Sequence, residues 1–130
     1  MAITTFINHG EDEFHFVWCV KRNKPILIGN IKDRLYQIIN DTIDNLSLVD
    51  IKGLIIYDNY VWLRCEIHPQ YHAHKLVKLL KLKTASILNK EFKHITSKLP
   101  SLWTNSYFTR VGDQLPTLEI DEYVANEYIR

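Results

Sequence analysis

The sequence has no apolar run near the ~20 residues that a membrane-spanning helix requires. Its N-terminus, Met1 to Glu13, also lacks the basic start and apolar core of a signal peptide. The two cysteines, Cys19 and Cys65, are too few for a disulfide framework or a zinc site, and in strand-like runs they are expected to pack as small hydrophobes. We therefore expect an intracellular, cytoplasmic protein without a membrane partner.

Repeats and low-complexity tracts are absent as well. The hydrophobic fraction of 46% and the charged fraction of 24% are ordinary for a globular protein. A chain of 130 residues is long enough to bury a core within one domain. We expect a single domain over residues 1–130, in which residues 1–12 form an N-terminal extension.

The formal net charge of +1 conceals an uneven distribution of charge. Residues 68–110 contain eight Lys and Arg side chains against Glu91 alone, whereas residues 112–130 contain five acids against Arg130 alone. A basic middle indicates a surface for a polyanion, although lysines on a helix are as often only a solvated face. Charge by itself leaves both interpretations open.

Hydrophobic periodicity and turn residues predict seven elements. They are a strand over Glu13–Lys21, a helix from Gly29-Asn30 to about Ser47, a strand over Val49–Tyr57, a strand from the Asp58-Asn59 turn to His68, a helix from Tyr71 or His72 to Phe92, a strand over Tyr107–Val111 and a helix from about Thr117. Gly53 is a candidate β-bulge. This βαββαβ order predicts an α+β, ferredoxin-like fold: an antiparallel sheet with helices on one face, plus a C-terminal helix.

The strand that ends at His68 has two different faces. Tyr60, Trp62 and Arg64 alternate with a wholly apolar set that should face the core, namely Val61, Leu63, Cys65 and Ile67. The outer aromatic pair is explained either by cross-strand packing or by stacking on the bases of single-stranded nucleic acid. In the second case the phosphate contacts would come from Lys21, Arg22, Lys24, Lys75, Lys78 and Lys81.

A second candidate site is the triplet His72-Ala73-His74, with His68 nearby. On a strand, positions i and i+2 share a face and could bind one metal ion. This triplet lies at a predicted helix start, where the two side chains diverge by about 200°. We expect exposed histidines here, with a metal site as the alternative.

Three stretches together resemble the insertion-sequence-200-like (IS200/IS605) transposases, the small single-tyrosine HUH transposases. Phe14–Lys21 is similar to their opening strand, Leu99–Phe108 to their LW-x-x-S-Y-F segment, and Glu122–Glu127 to the YIExQ end of their last helix. The resemblance extends from about residue 13 to 129. It implies a ferredoxin-like homodimer that recognises DNA hairpins and cleaves single-stranded DNA.

The resemblance also implies roles for individual residues. Tyr123 matches the nucleophile that forms a 5′-phosphotyrosine bond, and Glu127 matches a helix Gln that helps two HUH histidines hold Mg²⁺ or Mn²⁺. For Tyr123 the structural alternative is packing on the sheet, and for Glu127 it is a solvated carboxylate at a helix end.

The departure from the family pattern lies where Asp-His-U-His is expected. Asn59-Tyr60-Val61-Trp62 stands there, so both histidine ligands are replaced. Indole has no lone pair for a metal ion, and a neutral phenol is a poor ligand. The basic loop that follows the first strand, residues 21–25, also departs from the family, because Asn23 and Pro25 stand where Arg or Lys is usual.

We therefore expect a DNA-binding protein of this family that has no bound cofactor and is impaired in strand cleavage. Two alternatives remain. One is an active transposase that uses Tyr123, Glu127 and an atypical Mg²⁺ or Mn²⁺ site. The other is a dimeric scaffold that binds no DNA.

Overall fold

In the computed structural model, which describes residues 12–127, four strands form one antiparallel sheet. They are β1 (Asp12–Cys19), β2 (Val49–Ile56), β3 (Tyr60–Ile67) and β4 (Phe108–Val111). Their order across the sheet is β2-β3-β1-β4, with antiparallel pairing throughout. This is the ferredoxin-like α+β arrangement that the sequence predicts.

The helices are α1 (Gly29–Asp44), α2 (Ala73–Glu91), α3 (Lys93–Thr96) and α4 (Thr117–Glu127). The apolar stripes of α1 and α2, which include Leu35, Ile39 and Leu80, are buried in one core with the inner face of the sheet. The helix α4 lies against the outer face instead, where the ring of Tyr123 is 5.8 Å from that of Phe108. The sheet therefore has its structural helices on one face and α4 on the other.

The strand β1 is apolar on both sides because both sides are covered. Phe16 and Trp18 belong to the core, and Val17 and Cys19, on the opposite face, are also fully buried. Since β1 pairs with β3 and β4, its central position in the sheet is confirmed.

The predicted bulge at Gly53 is confirmed by a shift in the β2–β3 register between Ile51 and Gly53. A Cβ atom at Gly53 would lie 2.8 Å from Cη2 of Trp62, a distance that real Cβ contacts do not show. A larger residue at position 53 would therefore have to displace the indole ring, and the bulge lies beside the outer aromatic residues.

Two short elements were not expected. Residues Lys21–Asn23 form a single 3₁₀ turn in which Arg22 and Asn23 have φ values of 59° and 51°. Because β1 ends at Cys19, this turn replaces the last part of the predicted strand. The helix α3 occupies a segment just after the predicted end of α2.

Some expectations fall outside residues 12–127. The proposed N-terminal extension, residues 1–12, lies outside the described residues except for Asp12, which begins β1. The apolar pattern of the last predicted helix extends to Tyr128, which also lies outside the described residues. None of the helices within residues 12–127 combines the length and apolarity needed to cross a membrane.

Candidate nucleic-acid interface

The outer face of the sheet is built from pairs of residues on β1 and β3. Because directly opposed residues of an antiparallel pair point to the same face, three residues of β3 share this face with three of β1. The pairs are Cys19–Tyr60, Val17–Trp62 and His15–Arg64. Tyr60, Trp62 and Arg64 are half-buried, while the alternate residues of β3 are buried in the core, as predicted.

Trp62 is held by specific contacts on this face. Its Nε1–H donates a hydrogen bond to Nδ1 of His15 at 3.2 Å, and its ring lies against Gly53. His15 is completely buried. Burial, reinforced by the nearby Arg64 cation, lowers the pKa of His15 below 6.5, so the neutral imidazole that accepts from Trp62 is favoured.

Tyr60 stacks on its neighbour across the β2–β3 turn. The rings of Tyr57 and Tyr60 are 4.4 Å apart with an interplanar angle of 16°. Burial raises the pKa of Tyr60 to about 12, and Tyr57 and Asp121 act in the same direction. Tyr60 is consequently a neutral phenol at physiological pH.

Tyr123 lies over the same face, hydrogen-bonded to a residue of the loop before β4. Ser106 Oγ donates to Glu127 Oε1 at 2.5 Å, so the 2.6 Å bond between Ser106 Oγ and the Tyr123 hydroxyl has Tyr123 as its donor. Burial raises the pKa of Tyr123, and the negative charge of Glu127 acts in the same direction. The structure thus keeps the phenol protonated.

Glu127 is buried, with 1% of its surface exposed, so the expectation of a solvated glutamate was wrong. The last turn of α4 faces the sheet, and Ser106 donates to the carboxylate there. The positive charge of Lys81 is close enough to interact with Glu127. Nearby, burial raises the pKa of Cys19 to about 12, which makes its thiol unreactive.

The side chain of Lys81 points towards the segment before β4 and not into solvent from the outer surface of α2. Its Nζ donates to the carbonyl oxygens of Thr104 at 2.7 Å and Ser106 at 2.8 Å. Burial lowers the pKa of Lys81, and Glu127 opposes that shift. The ammonium group, assigned in the sequence to phosphate, therefore has internal partners.

Tyr60 and Trp62, which stand where the family resemblance leads us to expect two histidine ligands, do not fit a divalent ion. Trp62 offers an N–H donor and no lone pair, and Tyr60 offers a phenol with a raised pKa. Glu127 is already bonded to Ser106. Across residues 12–127, no three His, Cys, Asp or Glu side chains are grouped as metal ligands would be.

The histidines near the start of α2 have separate surroundings. Nδ1 of His68 accepts from the backbone N–H of Gln70, and Nδ1 of His74 is hydrogen-bonded to the hydroxyl of Tyr107. His72 precedes α2 as its exposed N-cap residue. The rings of His68 and His74 thus contact different groups.

The basic loop Lys21–Lys24 lies beside α4. Lys21 is half-buried, Arg22 and Lys24 are exposed, and Asn23 Nδ2 donates to the carbonyl of Val124 at 3.0 Å. The backbone N–H of Lys21 donates to the carbonyl of Leu102.

Lys75 and Lys78 are exposed on α2. The groove between α2 and residues 100–105 is lined by Lys78 and Leu102, among others. Since Leu102 also bonds to the basic loop, one segment joins the loop to the lysines of α2.

Ser106 belongs to the candidate site, but the sequence pattern did not indicate it. It lies within the LW-x-x-S-Y-F-like segment, so a signal existed, but its role follows only from its contacts with Tyr123 and Glu127. The inward direction of Lys81 had no such signal, because helical spacing places it in register with Lys78.

Comparisons with known proteins identify the family. A family model described as "Transposase IS200 like" matches residues 11–127. The ISDra2 transposase TnpA of Deinococcus radiodurans is 25% identical over 118 residues, which cover 89% of this chain and 84% of that protein.

Solved structures agree with this match. A transposase candidate from Deinococcus radiodurans, solved at 1.90 Å resolution, superposes with a TM-score of 0.82 and 25% identity, covering 91% of this chain and 92% of that one. A REP-associated tyrosine transposase bound to a REP hairpin superposes with a TM-score of 0.55 and 14% identity, covering 92% of this chain and 66% of that one. At this identity the similarity concerns the fold alone. Because the family match spans residues 11–127 of 130, the chain belongs to the IS200-like transposase family.

Proposed function

We propose that this protein binds single-stranded or hairpin DNA across the outer face of its sheet and its basic loop, without metal-dependent strand cleavage. The observation that supports this most directly is the state of Trp62. Its indole nitrogen donates to buried His15, and its ring fills the space above Gly53. An ion would need a lone pair where this side chain presents a hydrogen.

The chemistry of Tyr123 supports the same proposal. Attack on a phosphate requires the phenolate, but the hydroxyl is a hydrogen-bond donor with a raised pKa. A divalent ion would contribute several kcal/mol of charge stabilisation in such a reaction. Without it, the rate of cleavage is expected to fall by several powers of ten.

DNA as the ligand class is supported by family membership and by the distribution of charge. Five basic side chains remain accessible to phosphate, two of them on α2: Lys21, Arg22, Lys24, Lys75 and Lys78. Such contacts are independent of base sequence and sensitive to salt. Lys81 is left out of this set because its Nζ bonds to carbonyl oxygens.

One specific observation favours the alternative of an active transposase. Tyr123, Ser106 and Glu127 form a compact cluster in which a carboxylate lies 3.4 Å from the phenol oxygen. In that reading Glu127 accepts the phenolic proton and an atypical Mg²⁺ or Mn²⁺ site serves the reaction.

A covalent-adduct assay separates these two functions. The protein is incubated with hairpin-bearing single-stranded DNA and Mn²⁺, and denaturing gels are examined for a protein–DNA adduct. We expect none, with Tyr123→Phe as the matched control. An adduct formed by the wild-type protein and lost in Tyr123→Phe would establish the active transposase instead.

DNA binding is tested by the dependence of affinity on salt. The triple variant Lys21→Ala, Arg22→Ala, Lys24→Ala should reduce the slope of log K against log[salt] by about 2, or about 0.7 per lost contact to single-stranded DNA. The matched control replaces three exposed lysines outside the loop, Lys83, Lys90 and Lys93. If the wild type does not bind DNA at ~50 mM salt, or if its affinity does not change with salt, the hypothesis of a scaffold that binds no DNA replaces that of a DNA-binding protein.

We also propose that the protein is a homodimer, as its family resemblance implies. The four-residue strand β4 is at an edge of the sheet and is available for pairing with a second chain. Light scattering should then give twice the monomer mass of 15.4 kDa. A monomer mass at micromolar concentrations would refute this.

A further inference from the structure

A small pocket of about 110 Å³ lies between the outer face of the sheet and the first turns of α4. Tyr57, Tyr60 and Trp62 form its aromatic side, while Leu115 and Asp121 close it from α4 and the segment before it. Tyr60 and Trp62, which stand where the family resemblance leads us to expect histidines, thus line this pocket.

The walls of the pocket suit a flat ring. Tyr57 is 41% exposed and Leu115 is 56% exposed, so both apolar surfaces remain accessible. Tyr57 and Tyr60 already stack on each other, which fixes the orientation of their rings. A planar aromatic ligand gains contact on such a surface at little cost in side-chain entropy.

Asp121 gives the pocket a polar specificity. Within the described lining residues it is the one carboxylate, and it is exposed. A carboxylate accepts hydrogen bonds and offers none at neutral pH, so it favours a ligand with an amino group at its edge. It also repels phosphate, which directs the backbone of a bound strand elsewhere.

The basic loop provides that other location. The backbone N–H of Val20 donates to the carbonyl of Asn59, and the N–H of Leu27 donates to that of Asp58, both at 2.9 Å. These bonds attach both ends of the segment containing Lys21, Arg22 and Lys24 to the turn that precedes Tyr60. Cations for the phosphates therefore border a pocket for a base.

We propose that this pocket binds one unstacked base of single-stranded DNA, and that Asp121 selects a base with an exocyclic amino group over thymine. The inference rests on the proposed DNA-binding function and adds base selectivity to it. Cytosine, adenine and guanine present an amino group to the carboxylate, whereas thymine offers only an N3–H between two carbonyl oxygens that the carboxylate repels.

The test compares oligo(dC) and oligo(dT) of equal length by fluorescence anisotropy at low salt. The wild type should bind oligo(dC) about fivefold more tightly, and Asp121→Ala should abolish the difference. Tyr57→Ala should weaken both by about tenfold through lost stacking. Asp113→Ala, an exposed carboxylate outside the pocket lining, is the matched control and should leave the preference unchanged.

Tryptophan emission reports on the pocket directly. Trp18 and Trp103 are buried, so a change on binding oligo(dC) should come from Trp62 and be absent in Trp62→Phe. Mononucleotide dCMP serves as the free-nucleotide arm and should bind far more weakly than the strand.

The outcomes separate the two proposals. The pocket inference fails and the DNA-binding function stands under one combination of results. DNA binding remains salt-dependent, but Trp62 emission does not change on binding oligo(dC), and Asp121→Ala does not change the ratio of the affinities for oligo(dC) and oligo(dT). If salt-dependent binding itself is missing, both fail. Binding of dCMP as tight as the strand, or a Trp62 signal that follows protein concentration without DNA, would overturn the inference in favour of a free nucleotide or a second copy of the chain.

Discussion

Replacement of Lys81 by methionine removes an ammonium group from the cluster that holds α4 and keeps a side chain of similar length. In the native structure Nζ bonds to the carbonyl oxygens of Thr104 and Ser106. Thr104 and Glu127 are buried, with 4% and 1% of their surfaces exposed. Methionine can satisfy neither carbonyl and brings no positive charge near the Glu127 carboxylate.

The expected loss of stability follows from these contacts. Two acceptors lose a charged donor, at about 1 kcal/mol each. Loss of the positive charge near Glu127 adds about 1 kcal/mol, less than the 3–5 kcal/mol of a fully buried ion pair because Lys81 is only half-buried. The total, about 3 kcal/mol, should lower Tm by roughly 10 °C in a chain of this size.

Urea titration followed by circular dichroism measures this change. Lys78→Met is the matched control, because Lys78 is exposed on the same helix, and it should lie within about 0.5 kcal/mol of the wild type. Adding Glu127→Gln to Lys81→Met should restore about 1 kcal/mol by removing the uncompensated carboxylate. A Lys81→Met protein as stable as the Lys78→Met control, or a second substitution that only adds to the loss, would refute this reasoning.

Three further predictions concern the outer face. Because the pKa of His15 is lowered in the folded state, its contribution to stability is complete above pH 6.5 and is lost as the pH falls through the folded pKa. Thermal unfolding should therefore show a lower Tm at pH 5 than at pH 7, and the difference should be smaller in His15→Gln. An equal difference in both proteins would contradict this assignment. Gly53→Ala should lower the free energy of unfolding by about 1–3 kcal/mol, because the new Cβ atom displaces the indole of Trp62. In urea titrations this loss should be smaller when Trp62→Phe is also present, and an equal loss in both backgrounds would exclude the indole as its cause. Tyr123→Phe should lose about 1 kcal/mol with the Ser106 hydrogen bond and leave DNA affinity in anisotropy unchanged, so a large loss of affinity would place the hydroxyl on DNA.

The order of elements and the faces of the strands follow from local pattern, and here the sequence was sufficient. Alternation along β3 separates inward Val61 and Leu63 from outward Tyr60 and Trp62, and the structure confirms it. The apolar stripe of α1 and the bulge at Gly53 were found in the same way. Each depends on residues within one element or one turn.

Contacts between distant segments could not be predicted in this way. The sequence favoured a solvated Glu127 because side chains in the last turn of a helix are usually exposed. The fold instead buries this carboxylate against the outer face of the sheet, where Ser106 donates a hydrogen bond to it from another segment. Lys81 had the spacing of a surface lysine, but residues 104–106 pass beside α2 and their carbonyls bind its ammonium group. Neither partner is near in sequence.

The sequence alone therefore determined the ferredoxin-like order and the family resemblance, in which Tyr60 and Trp62 stand where two histidines are expected. Tertiary structure decided what these two side chains contact. Gly53 and His15 lie on the two strands that flank β3, and only the pairing of the sheet brings them to Trp62. Periodicity assigns a side chain to a face, whereas its hydrogen-bond partner depends on which strands are neighbours, and that is a property of the whole sheet.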